Sequence, residues 1–253
     1  QLKGTEKRDK YKVYGELINT YGYNLEPGSK ELTALNYYTN EEITIPLDPT
    51  QTPGENAQRY FAKYNKQKRT FEALTELIQE TADDIQYLES ISNALDIALS
   101  EADLAQIKEE LMQSGYIRRK HTKKKVKLTS KPMHYISSDG YDMYVGKNNL
   151  QNEELTFSFA NGNDWWFHAK GAPGSHVIVK SGGDELPDRT FEEAGRLAAY
   201  YSKNRGADKV EIDYIQKKHV KKPNGAKPGF VVYYTNYSLV IDSDISNIKN
   251  VQD

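Results

Sequence analysis

The segment with the most chemically versatile side chains is NDWWFHAKGAPGSHVIVK, residues 163–180. Its alternating pattern predicts a strand in which Trp165, Phe167 and Ala169 share one face. The opposite face then carries a carboxylate, an aromatic ring, an imidazole and a cation, from Asp164, Trp166, His168 and Lys170. We interpret the first face as core and the second face as a surface that recognises a ligand.

The turn GAPG separates this strand from a second one that contains His176, so pairing of the two strands would place His168 near His176. A metal site needs three or four converging ligands, whereas this segment offers two histidines and an aspartate, and the chain has no cysteine. Ser175 lies outside a G-x-S-x-G elbow, and its neighbour His176 points to the opposite face. We therefore expect no metal ion, no cofactor and no catalytic residue.

The remaining chemistry is stacking of rings on unpaired bases, with lysines on the phosphates. Two further segments favour a nucleic-acid surface of this kind. QKKHVKKPNGAK, a predicted loop, supplies Lys217, Lys218, Lys221 and Lys222. GKNNLQNEEL supplies hydrogen-bonding groups suited to phosphate, ribose or base edges, in Lys147, Asn148, Asn149, Gln151 and Asn152. Each segment alone fits a solvated loop, but together they favour RNA binding.

The elements that must position these residues begin at about residue 132. Short strand-like segments follow one another, separated by Gly, Pro and Asn signals. One helix, TFEEAGRLAAYYSKNRG, interrupts them, with Thr190 as the expected N-cap and Gly206 as the expected end. Residues 132–253 therefore predict an α+β domain with a mainly antiparallel sheet and one main helix.

Residues 1–117 predict a helical coiled-coil arm with a short β-hairpin inserted near residues 31–46. From Ala57 to Leu99, apolar residues recur at alternating steps of three and four, and Ser100 with Asp103 resembles a capping box for a following helix. Because so long an apolar stripe needs a partner helix, we expect this chain to dimerise through the arm when the rest of its partner is absent.

A basic segment, residues 118–131, joins the two regions and contains eight Lys+Arg and no Asp or Glu. A run of like charge is either a solvated linker or a contact for a polyanion, and the sequence leaves both readings open. The cations that we assign to this linker are Arg118, Arg119, Lys120, Lys123, Lys124, Lys125 and Lys127.

The composition, with 37% apolar and 28% charged residues among 253, is that of a soluble globular protein. The sequence contains neither a long apolar run nor a signal-peptide pattern, which predicts no membrane insertion. Zero cysteines fit a reducing compartment, so we expect a cytoplasmic protein. Because the chain starts at Gln1 within a charged helical pattern, we interpret it as the C-terminal part of a longer protein.

The segments GKNNLQNEEL, NDWWFHAKGAPGSHVIVK and KPMHYISSDGYDMYVG, with the lysine-rich loop after VEIDYIQ, resemble the RNA-binding domain of the NFACT family. KVYGELINTYGY, IPLDPTQTPGENAQRYFAKYNK and ELMQSGYI resemble its middle coiled-coil region. The resemblance implies a factor that binds tRNA and the rRNA of obstructed large ribosomal subunits, to support template-free alanine tailing of stalled chains. It implies RNA contacts for Lys147, Asn148, Asn149, Gln151, Asn152, Asp164, Trp166, His168, Lys170, Pro173, Gly174, Ser175 and His176.

The resemblance also implies an alternative from another functional class. Some family members resemble surface adhesins that bind fibronectin although they lack a signal peptide and a cell-wall anchor. Polybasic segments bind many acidic partners, so the same C-terminal surfaces would serve this role. The alternative is therefore a fibronectin-binding adhesin displayed on the bacterial cell surface.

Overall fold

The computed structural model describes residues 2–118 and 130–251. The chain forms two compact units, Gln1–Asp83 and Asp84–Asp253. Their boundary lies inside the helix Pro53–Ile97. The division into an arm, a basic linker and an RNA-binding domain at residues 117 and 131 stays a prediction. Helices and antiparallel sheets together confirm the α+β class.

The first unit contains short helices, a β-hairpin and the first part of a long helix. In chain order these are α1 (Leu2–Thr5), α2 (Asp9–Tyr21), β1 (Glu31–Asn36), β2 (Glu41–Pro46) and α3 (Pro53–Ile97). Burial alternates along β1 because a strand presents successive side chains to opposite faces. The buried faces form a core of Leu17, Ile18, Leu32, Ala34, Ile45, Ala57 and Tyr60.

In the second unit, the end of α3 packs against α4 (Glu101–Gln113). Ser100 Oγ accepts a hydrogen bond from Asp103 N at 3.2 Å, and Asp103 Oδ2 accepts one from Ser100 N at 3.1 Å. This reciprocal pair confirms the predicted capping box at the start of α4. The buried side chains between the two helices are Tyr87, Ile91, Ala94 and Ile107.

The apolar stripe predicted along α3 is exposed over its second half and does not face α4. Ile78, Ile85 and Leu88 are 52%, 54% and 42% exposed. Helix α4 packs instead on a neighbouring face of α3, through Ile91 and Ala94. The sequence signals an apolar stripe at these positions, but it does not reveal that a later helix of the same chain folds back beside that stripe.

The strands of the second unit are β3 (Met133–Ile136), β4 (Asp142–Val145), β5 (Trp165–Ala169), β6 (Val177–Val179), β7 (Val210–Gln216), β8 (Tyr237–Ile241) and β9 (Lys249–Asn250). Within the described residues these seven strands form one sheet in the order β8-β7-β5-β6-β4-β3-β9. All the strand pairs are antiparallel, with β5 between β6 and β7. Strand β5, which carries the candidate site, is therefore central.

Other elements pack on both faces of this sheet. Helix α6 (Asp188–Tyr200) covers one face, where its Leu197 and the Phe167 side chain of β5 belong to one buried core. The other face packs against α5 (Asn149–Glu154), the π-helical turn Leu155–Phe159 and residues 220–233, which bury Trp166 and Ile178. A sheet covered on both faces leaves little of β5 open to solvent.

Three local predictions differ from the structure. Residues 155–159 of LTFSFA form the π-helical turn rather than a strand. Among the described residues of GFVVYYT, one isolated bridge, Lys221 to Val232, replaces the predicted strand. Helix α6 ends at Tyr200, and Gly206 lies beyond it with a φ of +87°. Propensity within these short segments is overridden by their packing against the sheet.

The predicted N-cap of α6 is also wrong, because the helix begins at Asp188. Thr190 is buried, and its Oγ1 donates a hydrogen bond to Asp139 Oδ2 at 2.8 Å. Glu193 Oε2 accepts a hydrogen bond from Ser138 N at 2.8 Å. The two polar side chains that resemble a capping box therefore fasten α6 to the turn between β3 and β4.

Candidate nucleic-acid interface

Strand β5 places Trp166 inside the second unit. The residue is 0% exposed. Ring centroids within 5.7 Å of its own belong to His168, His176 and Tyr233. A base cannot stack on a ring that has no exposed surface, so the stacking predicted for Trp166 is wrong in this structure. The faces assigned by alternation are nevertheless right, because Phe167 lies in the core on the α6 side.

The two histidines of the motif lie together, as their strand positions predict. Their ring centroids are 5.5 Å apart, and His176 Nδ1 lies 2.8 Å from Thr156 Oγ1. Burial lowers the pKa of His168 to about 4 and lowers the pKa of His176 well below 6.5. Both imidazoles are therefore neutral at pH 7 and add no positive charge for a phosphate.

Asp164 is 1% exposed and uses its carboxylate inside the chain. Its Oδ2 accepts a hydrogen bond from Asn161 N at 2.7 Å, and its Oδ1 accepts one from Ser181 N at 3.2 Å. Lys180 forms an ion pair with the same carboxylate. Asp164 therefore fixes the loop that precedes β5 and orients its neighbours, and its burial leaves no surface for the RNA contact that the resemblance implies.

The turn between β5 and β6 packs against the chain that follows α6. Ser175 N donates a hydrogen bond to Tyr201 O at 3.0 Å, and Pro173 O accepts one from Lys203 N at 2.8 Å. A Cβ at Gly174 would lie 3.0 Å from Ser202 Cβ, so the glycine permits this close approach. Gly174 and Ser175 are thus placed by internal packing, and the structure gives the turn a structural role.

The amide cluster lies inside the second unit and is at most 7% exposed: Asn148, Asn149, Gln151 and Asn152. Asn149 Nδ2 donates hydrogen bonds to Ser90 Oγ at 2.7 Å and to Glu110 Oε1 at 2.8 Å. Gln151 Nε2 donates to Gln106 Oε1 at 2.7 Å. Burial therefore contradicts the predicted contacts of these amides with phosphates and bases. Asn148, Asn149 and Gln151 instead hold α5 against α3 and α4. Asn152 Oδ1 accepts a hydrogen bond from His176 N at 2.9 Å and so fastens α5 to the segment before β6.

The residues that flank the cluster have internal partners too. Asn148 Oδ1 caps α5 by accepting a hydrogen bond from Gln151 N at 3.0 Å. Lys147 Nζ lies 3.1 Å from Asp103 Oδ1. Although burial opposes ionisation, hydrogen bonds from Ser130 and from the Leu99 amide, with the Lys147 ammonium, hold the pKa of Asp103 at about 2. Lys147 is thus neutralised by a buried carboxylate.

Two predicted RNA-contact lysines are exposed but paired. Lys170 Nζ lies 2.5 Å from Glu211 Oε1. Lys222 Nζ lies 2.7 Å from each carboxylate oxygen of Glu153. A carboxylate this close offsets the field that a lysine presents to a phosphate, so these two side chains are weaker anion contacts than unpaired lysines.

The remaining predicted lysines form a surface without carboxylate partners. Among the ion pairs of the described residues, none involves Lys217, Lys218 or Lys221. Lys217 and Lys218 lie on a short helical turn directly after β7, and Lys218 N donates to Gly162 O at 3.0 Å. Lys217 Nζ lies 6.0 Å from the centroid of the Phe157 ring. We call Lys217, Lys218 and Lys221 the lysine surface.

Sequence reasoning missed the exposed rings on this side of the sheet. Phe159 is 42% exposed, with Lys180 Nζ 4.8 Å from its ring centroid, and Phe230 is 45% exposed. The prediction of a strand for LTFSFA gave no reason to expect an exposed ring. Exposed aromatic surface beside cations is the combination that single-stranded RNA uses.

Of the basic linker, Arg118 is exposed, and residues 119–129, with Arg119, Lys120, Lys123, Lys124, Lys125 and Lys127, lie outside the described residues. The part of the chain that the structure describes contains no helix with the length and apolarity needed to cross a membrane. Its His, Asp and Glu side chains form no group of three or more that could hold a metal ion.

Comparison with known proteins connects this arrangement to a family. Residues 1–130 match the NFACT N-terminal and middle domains, and residues 131–234 match the NFACT protein RNA binding domain. The lysine surface and the cluster of Trp166, His168 and His176 both lie in the second match. The two matches meet inside the basic segment between Arg118 and Lys131.

Curated relatives extend the similarity over the whole chain. A protein named Rqc2 homolog RqcH from Streptococcus pneumoniae is 42% identical over 253 residues, and its namesake from Bacillus subtilis is 40% identical over 254 residues. The chain spans 45% and 44% of these two proteins. The C-terminal structure of the fibronectin/fibrinogen-binding protein from Streptococcus suis matches with a TM-score of 0.71 and 37% identity, covering 97% of this chain and 87% of that one. The chain belongs to the NFACT family.

Proposed function

We propose that this chain is the RNA-binding part of a ribosome quality control factor and that the lysine surface contacts RNA. The observation that carries the proposal is the set of three lysines without carboxylate partners among the described residues, in the region that matches an RNA-binding domain, with Lys217 Nζ 6.0 Å from the Phe157 ring centroid. Lysines without nearby carboxylates release counterions from a phosphate backbone, and exposed rings stack on unpaired bases.

The ligands we propose are tRNA and the rRNA of obstructed large ribosomal subunits. In the longer protein, this binding supports template-free alanine tailing of stalled chains in the cytoplasm. The chain itself acts by binding rather than by catalysis. Ser175 supports this, because its Oγ is buried and has no hydrogen-bond partner among the described residues. No base is therefore placed to activate the Ser175 hydroxyl as a nucleophile.

A salt series tests the RNA contact directly. Binding of the chain to total tRNA and to large ribosomal subunits would be measured for the parent and for a variant with Lys217→Ala, Lys218→Ala and Lys221→Ala. Each lost phosphate contact lowers the slope of log affinity against log salt by about 0.7 for single-stranded RNA, so we expect a decrease of about 2.

The matched control is a variant with Lys170→Ala and Lys222→Ala, two exposed lysines that already have carboxylate partners. We expect it to retain most of the binding. Equal losses in both variants would mean that net charge, not the lysine surface, determines affinity. Parental binding by the triple variant would refute the proposed contact and direct attention to the basic segment 118–131.

Dimerisation through the helical arm stays part of the proposal. Its support is the row of exposed apolar side chains on α3, which includes Ile78, Ile85 and Leu88. We expect the chain to associate at high concentration in sedimentation experiments, and we expect a variant with Ile78→Glu and Ile85→Glu to sediment as a monomer. A monomeric parent at every concentration would contradict this.

Fibronectin binding at the cell surface is the second candidate, favoured by the name of the Streptococcus suis protein that shares this fold. The lysine surface is a suitable acceptor for an acidic partner. Displacement of fibronectin from the chain by tRNA would place both ligands on that surface. Binding of both ligands at once would indicate a separate adhesive site.

A further inference from the structure

The α6 side of the sheet has an open pocket that the RNA contact does not use. Its volume is about 430 Å³. It lies where the start of β5, the end of β7 and the start of β8 meet the loop before α6. The residues that line it are Trp165, Gly183, Asp184, Glu185, Leu186, Asp188, Phe191, Tyr214, Gln216 and Tyr237.

Four aromatic rings form the wall of this pocket. Trp165 lies edge-on to Phe191 with ring centroids 4.9 Å apart, and Tyr214 stacks on Tyr237 at 5.5 Å. Trp165 is also 5.9 Å from Tyr214, which joins the two pairs. Tyr237 is 59% exposed, so the rings remain open to a ligand at the mouth of the pocket.

The charges at the pocket have one sign. Asp184, Glu185 and Asp188 line it, all three are exposed, and the lining contains no Lys or Arg among the described residues. None of the three carboxylates is in an ion pair within the described ranges 2–118 and 130–251. Asp188 lines the same pocket as the rings of Tyr214 and Tyr237.

We propose that this aromatic and acidic pocket binds the cationic side chain of a basic peptide segment of a partner protein. Aromatic faces attract an ammonium or guanidinium group, and the carboxylates at the rim supply the complementary charge. The same carboxylates repel phosphates, so the pocket rejects the ligand that the lysine surface attracts. The two faces of one sheet thus recognise partners of opposite charge.

The position of Trp165 provides a direct reporter. The chain has two tryptophans, and Trp166 is 0% exposed on the opposite face of β5. In a ¹H–¹⁵N spectrum of the full chain, the two indole signals would be followed during titration with a synthetic peptide of alternating arginine and glycine. We expect the Trp165 signal to shift in a saturable manner and the Trp166 signal to stay in place.

Two variants separate the roles of charge and ring. Asp184→Asn with Glu185→Gln removes two exposed carboxylates, and we expect roughly tenfold weaker peptide binding at low salt. Tyr237→Leu keeps apolar volume but removes a ring, and we expect a roughly two- to fivefold loss. All three residues lie outside the lysine surface, so tRNA binding should stay at the parental level in each variant.

Other outcomes would overturn the inference. Absence of a Trp165 shift with the arginine peptide would mean that the pocket takes no cationic group. Peptide affinity unchanged in both variants would place the peptide elsewhere on the chain. A Trp165 shift with an oligoribonucleotide, but none with the peptide, would assign the pocket to RNA. In contrast, loss of tRNA binding with retained peptide binding in the lysine variant would support the inference, because the pocket would then act independently of the lysine surface.

Discussion

Trp165 and Trp166 are neighbours in sequence with opposite surroundings. Trp166 is 0% exposed beneath the π-helical turn and residues 220–233, whereas Trp165 lines an open pocket beside α6. Strand alternation explains why they face opposite sides of the sheet. It does not explain which side is open, because that depends on how far each covering element extends. The side that looked like core to sequence reasoning is the one with a pocket.

The largest expected difference between the two tryptophans is in stability. Replacement of a fully buried tryptophan leaves a cavity, so we expect Trp166→Ala to lower the free energy of unfolding by about 3–5 kcal/mol. Trp165 is partly exposed, so we expect Trp165→Ala to lower it by about 1–2 kcal/mol. Urea unfolding followed by circular dichroism measures both values.

Equal losses from the two substitutions would contradict the difference in burial. The comparison also bears on RNA binding, because Trp166→Ala is expected to reduce it by destabilising the second unit. A Trp166→Phe variant, which keeps most of the packing, serves as the control. If Trp166→Phe retains the fold and loses RNA binding, the ring itself contributes to recognition.

Acidification should destabilise the Trp166 side selectively. The pKa of His168 is lowered to about 4 and that of His176 lies well below 6.5, both by burial, while in the unfolded chain both keep an ordinary value near 6.5. Below pH 6.5 the unfolded chain binds protons that the folded chain excludes, so stability falls as the pH falls from 7 toward 4. Each histidine contributes up to about 1.4 kcal/mol per pH unit in this range.

The measurement is urea unfolding at pH 7 and pH 5.5 for the parent and for His168→Gln. We expect the variant to lose less stability than the parent between the two pH values. Burial raises the pKa of Glu110, which acts in the opposite direction, but this contribution is common to both proteins and cancels in the difference. An identical loss in the two proteins would show that His168 takes up its proton without unfolding.

Much of the fold could be predicted from the sequence where the signal is local. The hairpin with strands Glu31–Asn36 and Glu41–Pro46, the Ser100 capping box and the faces of β5 all depend on residues close in the chain. The buried face of the second half of α3 could not be predicted, because it depends on where α4 packs. The strand prediction for LTFSFA was wrong for the same reason, because the π-helical turn depends on contacts with β5 and β6.

In the candidate site, too, local features could be predicted and long-range contacts could not. Proximity of His168 and His176 follows from strand pairing, which the sequence indicates. Burial of Asn149 and Gln151 does not, because their partners lie on α3 and α4, about 40 to 60 positions earlier in the chain. Amides suited to a ligand are equally suited to an internal network, and composition cannot distinguish the two. The lysines without carboxylate partners became recognisable once the positions of Glu153 and Glu211 were known.

The smallest expected effect on the protein gives the sharpest test of the comparison. Trp165→Phe and Trp166→Phe each leave one tryptophan, and both keep an aromatic ring at the changed position, so the fold should survive in both. Acrylamide quenches the fluorescence of an indole that it can reach. We expect the chain that retains Trp165 to be quenched several times more strongly than the chain that retains Trp166, because the Trp166 ring has 0% exposure.

The arginine peptide should protect Trp165 from quenching and leave the quenching of Trp166 unchanged. Equal quenching of the two chains would mean that the cover over Trp166 opens in solution, which would restore that ring as a stacking surface for RNA.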